Sequence, residues 1–228
     1  RVMYLQLGLK AIVVLLPPLF KNDFPIKQTM ATPSNMECAS KAINVHNIYK
    51  TLGFTDKKLR ELSLKMTNPY SLMIYNCHGD FNIGALCRTA SCFSAKKIFT
   101  VGRRKFDRRT LVGAHHYTPV IRLDSIEDPV TWFDDQEMYP VFIEQGGTDI
   151  SDFNFTNLWN EFSPCLVVGS ECDGVPEVFM ELFPDSPRIS IAQSGLIRSL
   201  NVATAGAVAL EHIYYAHRNN VIDKYGLI

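Results

Sequence analysis

Two short stretches, far apart in the chain, carry residue types that could do chemistry together. The first is Asn82-Ile83-Gly84-Ala85-Leu86-Cys87-Arg88, and the second runs from Gly169-Ser170-Glu171 to Ser199-Leu200-Asn201-Val202. Arg88 offers a permanently charged guanidinium, able to hold a phosphate in a two-pronged grip or to stabilise developing negative charge. Asn82 and Asn201 each carry a donor and an acceptor. Ser199 can cap a helix or touch a substrate, and Glu171 can orient Arg88 or the loops around it. No phosphate-cradling glycine loop and no nucleophile elbow accompanies these residues, which argues against a nucleotide binder or a small-molecule α/β enzyme of those types.

Each stretch reads as a turn that ends a buried strand and opens a helix, where an open α/β sheet places its ligand crevice. Around them the pattern alternates. Strands are predicted at 71–75, 97–101, 120–123, 140–144, 165–168 and 188–191, and helices at 82–93, near 125–133, at 176–183 and from Ser199 to about His217. Strands alternating with helices predict an α/β fold, a mostly parallel sheet with helices on both faces. The last helix is expected to take Ser199 as its N-cap and carries Ala203, Gly206, Ala207 and Ala209, small residues that let another backbone come close.

At 228 residues the chain exceeds the usual single domain but falls short of two. The expected division is an N-terminal extension over 1–66, with a short helix at 55–66, followed by the main domain over 67–228. Within the extension, the apolar run Ala11 to Leu16 is too short to span a membrane, and Pro17-Pro18 follows it without a small-residue cleavage site. The expectation is that translation starts at Met30 and that residues 1–29 are an upstream reading frame. Nearly half of the residues are apolar, enough for a sizeable core.

The formal net charge is zero, yet Lys96, Lys97, Arg103, Arg104, Lys105, Arg108 and Arg109 fall within fourteen residues. Such a patch can collect phosphates even on a neutral protein. The six cysteines show neither a C-x-x-C pair nor a disulfide framework, which fits a reduced, cytoplasmic protein. Cys87 and Cys92 fall on different faces of their predicted helix, so no metal site is expected from them and Cys77.

Three motifs in order resemble the SpoU (TrmH) family of the SPOUT superfamily. They are Asn82-x-Gly84-Ala85-x-x-Arg88, Leu166-Val167-Val168-Gly169-Ser170-Glu171-x-x-Gly174, and Ile189-Ser190-Ile191 running through Ser199-Leu200-Asn201-Val202-Ala203. The resemblance covers about residues 70–215 and implies transfer of a methyl group from S-adenosylmethionine to a ribose 2′-hydroxyl of tRNA or rRNA. It also implies a C-terminal deep trefoil knot and a homodimer, with neither metal nor membrane. Gln193-x-Gly195-x-x-Arg198-Ser199-Leu200-Asn201 is similar to the members that modify tRNA, which favours tRNA over rRNA.

Carried onto this chain, the resemblance assigns cofactor contacts to Glu144, Gln145, Gly169, Ile191 and Leu200, largely through backbone groups. It assigns catalysis to Arg88, with Asn82, Glu171, Ser199 and Asn201 as the other polar positions of the site. Because a guanidinium is normally not deprotonated in proteins, Arg88 is expected to hold phosphate and ribose and to stabilise charge rather than to act as a base. The basic run of Arg103, Arg104, Lys105, Arg108 and Arg109 is expected to contact the RNA backbone. The alternative is a catalytically silent RNA-binding protein that keeps the fold.

Overall fold

The structure is a computed structural model, which describes residues 3–7, 10–14, 50, 53–75, 77–102, 105–159 and 162–225. The expected start at Met30 lies outside the described residues. Near the N-terminus Met3–Leu7 (β1) and Lys10–Val14 (β2) pair as an antiparallel ribbon. Helix α1 spans Asp56–Lys65, and the Thr55 hydroxyl accepts from the Lys58 amide at 3.3 Å, as a capping residue should.

The main unit alternates strand and helix. In order come β3 (Ser71–Tyr75), α2 (Asp80–Cys92), β4 (Ile98–Val101), β5 (Val120–Leu123), α3 (Pro129–Asp135), β6 (Met138–Asp149), β7 (Ser163–Val168), α4 (Glu177–Glu181), β8 (Arg188–Ser190) and α5 (Val202–Tyr225). The sheet is six-stranded in the order β5-β4-β3-β7-β6-β8, and every pairing in it is parallel. Such strands are buried on both faces and so read as unbroken apolar runs. On one face Leu72, Ile74, Leu166 and Val168 pack with Leu86 and Ala90 of α2 and with Leu210 and Ile213 of α5. On the other, Met73, Phe99, Phe142 and Val167 meet Phe133 of α3 and Phe179 and Met180 of α4.

Several boundaries differ from the expectation, and three of them have a plain local reason. Helix α3 starts at Pro129 rather than near Ser125, because the Asp128 carboxylate takes the Thr131 amide at 3.1 Å and Pro129 fits the first helical position. Strand β6 runs past Glu144 through Gly146 and Gly147, and its tail returns to β8, so that Ile189 pairs with Ile143 and again with Thr148. Helix α5 begins at Val202, so Ser199 is not its cap. That role falls to Asn201, whose Oδ1 accepts from the amides of Ala203 and Thr204 at 2.9 and 3.3 Å.

The small-residue face of α5 does meet a close neighbour. A β-carbon on Gly206 would stand 2.4 Å from Cδ2 of Leu86, a fully buried residue of α2. Among the described residues, no helix is long and apolar enough to cross a membrane.

Candidate functional site

In this strand order the chain moves outward from β3 to β5, then crosses to the other side of β3. A crevice therefore forms between the loops that follow β3 and β7. The two loops are tied together by one side chain, Glu171. Its Oε1 accepts from Asn82 Nδ2 at 2.7 Å, from the Gly79 amide at 3.0 Å and from the Cys77 thiol at 3.1 Å, while Oε2 accepts from the His78 amide at 3.1 Å. Burial alone would raise the Glu171 pKa. The bonds from Asn82, Cys77 and the backbone amides outweigh it and hold the carboxyl at about 2.

From Asn82 the chain of hydrogen bonds continues. Its Oδ1 accepts from Asn201 Nδ2 at 3.1 Å, and Asn201 in turn caps α5. Glu171, Asn82 and Asn201, which come from three separate segments, thus form one continuous network. Each asparagine uses its donor and its acceptor at once, so the network fixes their orientation. Of the two roles expected of Glu171, its oxygens serve the loop after β3 and Asn82 rather than Arg88.

Beside this network lies a cleft of about 470 Å³ at the C-terminal ends of β6, β7 and β8. Glu144, Gln145, Gly169, Glu171, Ile191, Ser199, Leu200 and Asn201 all line it, so most of the residues singled out in the sequence gather here. Glu144 Oε2 accepts from the Val175 amide at 3.0 Å, and Gln145 Nε2 donates to the Arg198 carbonyl at 3.2 Å. Those two bonds pin the loops on either side of the cleft. Gly169 and Gly174 make the turn between them possible: Gly174 has φ +65°, and a β-carbon on Gly169 would fall 1.9 Å from the Gly174 carbonyl carbon. Two carboxylates besides Glu171, those of Glu144 and Asp173, line the cleft, and among the described residues no Lys or Arg does.

Other expected residues stand apart. Arg88 lies in the third turn of α2, on the exposed side with Phe81, Ala85 and Cys92. It lines no part of the cleft and makes no hydrogen bond or ion pair with the described residues. Of the basic run, Arg103 and Arg104 lie outside the described residues. Lys105 and Arg108 are exposed, whereas Arg109 is held by Asp107 in a 2.6 Å ion pair. Lys96 and Lys97 precede β4 while the rest follow it, so the strand puts the two groups at opposite ends of the sheet.

The sequence reading missed Cys77, His78 and Gly79, the loop that Glu171 grips. These residues act through a thiol and backbone amides, which leave no motif. Cys87 is buried and its thiol is pushed up to about 12, by burial first and then by nearby Cys77, while Cys92 is exposed. The two do point different ways.

Fold and site together define an α/β protein whose parallel sheet opens onto a cleft suited to a neutral or cationic ligand. A sequence model of the SpoU rRNA Methylase family matches residues 69–211, well over half of the chain, and the protein belongs to this family of RNA methyltransferases. It is similar to an uncharacterized tRNA/rRNA methyltransferase of Borreliella burgdorferi, 26% identical over 162 residues that make up 69% of this chain and 68% of that one. Among solved structures, the A. aeolicus TrmH/SpoU tRNA modifying enzyme superposes with a TM-score of 0.60 at 20% identity, covering 73% of this chain and 84% of that one. The SpoU methyltransferase AviRb from Streptomyces viridochromogenes gives 0.56 at 23% identity, over 67% of this chain and 60% of its own length. AviRb has also been solved with AdoMet.

Proposed function

We propose that the protein uses S-adenosylmethionine to methylate a ribose 2′-hydroxyl in structured RNA, with tRNA as the favoured substrate. The observation that carries this reading is the Glu171–Asn82–Asn201 network at the edge of the cleft, which joins all three motifs in one place. The donor set fits the cofactor. A cleft lined by backbone, apolar side chains and three carboxylates, without a cation, suits a ligand bearing a flat base and a positive sulfonium. Glu144, Gln145, Gly169, Ile191 and Leu200 would hold it, and it supplies an electrophilic methyl group.

The chain's own task is then to align the ribose oxygen and to stabilise charge as its proton leaves. Positioning of that kind is worth on the order of 7 to 11 kcal/mol. Asn82 and Asn201, locked by Glu171, form a rigid rim for the ribose. Arg88, exposed and unpaired among the described residues, would take an RNA phosphate in a two-pronged grip. The exposed Lys105 and Arg108 extend the phosphate track, with Arg103, Arg104 and Arg109 beside them in the sequence.

The reading includes a deep trefoil knot and a homodimer. The double pairing of β8 with β6 and the tight passage of Gly206 past Leu86 support the first. Phe81, 85% exposed on the same side of α2 as Arg88, supports a partner surface there. The test is transfer of labelled methyl from S-adenosylmethionine to total tRNA and, separately, to rRNA, followed by nucleoside analysis. A 2′-O-methylnucleoside from tRNA, lost in Arg88→Ala, is the expected result. Cofactor and RNA binding without transfer to either RNA would instead establish the silent RNA-binding alternative.

A further inference from the structure

A second cavity, of about 500 Å³, opens at the C-terminal ends of β3, β4 and β5, and none of the residues assigned above to catalysis, cofactor or RNA contact lines it. Its walls are apolar, from Ile74, Ile83, Val101, Phe106 and Pro176. Its polar side chains are those of Tyr75, Cys77, His78, Thr100, Asp124, Ser125, Ser170 and Asp173. Apolar faces with polar groups that fix orientation are the composition of a small-molecule site. Thr100 is 6% exposed and its Oγ1 is buried without a hydrogen-bond partner among the described residues. Buried hydroxyls are normally paired, so an orphan at a cavity wall asks for a guest.

Charge narrows the guest further. Among the described residues no Lys or Arg lines the cavity, and two carboxylates do, which favours a guest that donates hydrogen bonds to them. Arg122 of β5 pairs with Oδ1 of Asp124 from outside the lining. These acceptors suit a guest with N–H donors along one edge. Its neighbour is fixed by a shared wall, because Ser170, Asp173 and Gly174 line both cavities.

We infer that this cavity receives the nucleobase of the RNA nucleotide being methylated, turned out of its stack, with its amino-bearing edge toward Asp124 and Thr100. The inference rests on the methyltransferase reading above, since that reading places the ribose at the adjoining cleft. Enzymes that act on one nucleotide of a folded RNA must often extrude it, and they then read the exposed edge by hydrogen bonds and apolar faces. Acceptors at the cavity favour guanine, adenine or cytosine, each of which carries an amino group, over uracil. The cavity is thereby a specificity site, separate from the groups that move the methyl group.

The test is an amide NMR titration of the full chain with guanosine, adenosine, cytidine and uridine, alongside calorimetry with S-adenosylmethionine and the methyl-transfer assay. The three amino-bearing nucleosides are expected to shift the Gly102 and Ser125 amides, and uridine to bind about tenfold more weakly. Asp124→Asn should weaken binding about tenfold. Thr100→Val should weaken it several-fold while leaving the thermal midpoint unchanged or higher, because it removes an unpaired buried hydroxyl. Unshifted amides, equal binding of uridine, or shifts indifferent to both variants overturn the inference. If RNA is methylated while those amides stay still, the base cavity fails and the methyltransferase reading stands. If the amides shift but S-adenosylmethionine does not bind, the cavity stands as a base site and the methyltransferase reading fails.

Discussion

Glu171 is a carboxylate whose surroundings supply four donors, so its charge is part of how the loops after β3 and β7 are joined. Its folded pKa of about 2 lies below the usual value of about 4.3. The folded chain therefore binds fewer protons at this site than the unfolded chain does between those two values. Stability from this group is fully present above about pH 4.5 and is lost as pH falls toward 2. We expect Glu171→Gln, which turns an acceptor into a donor facing other donors, to flatten the pH dependence of the denaturation midpoint in that window. The same variant should weaken S-adenosylmethionine binding at neutral pH, by calorimetry. An unchanged pH profile would mean the network does not couple to folding.

Arg88 poses the opposite case, a charged group that holds nothing among the described residues. We expect Arg88→Lys to lower methyl transfer about 10²-fold while cofactor affinity stays at the wild-type value, because the residue lies outside the cleft. Near-normal turnover in Arg88→Lys would show that a point charge suffices and that the fork geometry is irrelevant.

Among the elements, α5 shows how a helix start can serve a site. Asn201 caps it with Oδ1 and reaches Asn82 with Nδ2, so helix register and site geometry are set by one side chain. Asn201→Ala should cost about 1 kcal/mol of stability for the lost cap. Asn201→Asp should keep the cap yet lose the bond to Asn82, and with it methyl transfer. Ser199→Ala should change stability by less than about 0.5 kcal/mol. Chemical denaturation of the three variants separates the roles, and a large loss in Ser199→Ala would return the cap to that residue.

How much of this could be read from the chain varies by element. Leu72-Met73-Ile74 and Leu166-Val167-Val168 announce buried strands because both of their faces are apolar, and the structure places them at the centre of the sheet. The cap of α5 was misread because Ser199 and Asn201 are both good capping types, and only backbone geometry chooses between them. The tail of β6 was missed because Gln145-Gly146-Gly147 carries turn residues, although the strand continues beyond them. Glu171 was legible as a polar position but not in its partners, which lie about ninety residues away along the chain. Its bonds to the His78 and Gly79 amides involve groups that every residue carries.

For the whole molecule, zero net charge conceals a division. Lys105 and Arg108 sit exposed beyond the C-terminal end of β4, on the side where the cleft opens, while Lys97 at the other end bonds Gln136. RNA approaching the cleft should therefore feel a local basic field. Replacing both Lys105 and Arg108 by Ala should weaken tRNA binding and reduce the slope of log affinity against log salt by about 1.5. An unchanged slope in a binding titration across salt concentrations would remove them from the interface.

The strand order has a further consequence, for how the chain is made. β3 pairs with β4 on one side, but its other partner is β7, Ser71 facing Cys165 across almost a hundred residues. During synthesis the first three strands of the sheet can assemble while β3 still presents a bare apolar edge. Such an edge recruits other chains. Fragments that stop before Ser163 should aggregate or occupy chaperones, whereas those that carry β7 together with α4 and α5, which cover the two faces of the sheet, should stay dispersed, as sedimentation of translated fragments would reveal. The strand that completes the centre of the sheet is thus also the one that removes this edge from the nascent chain.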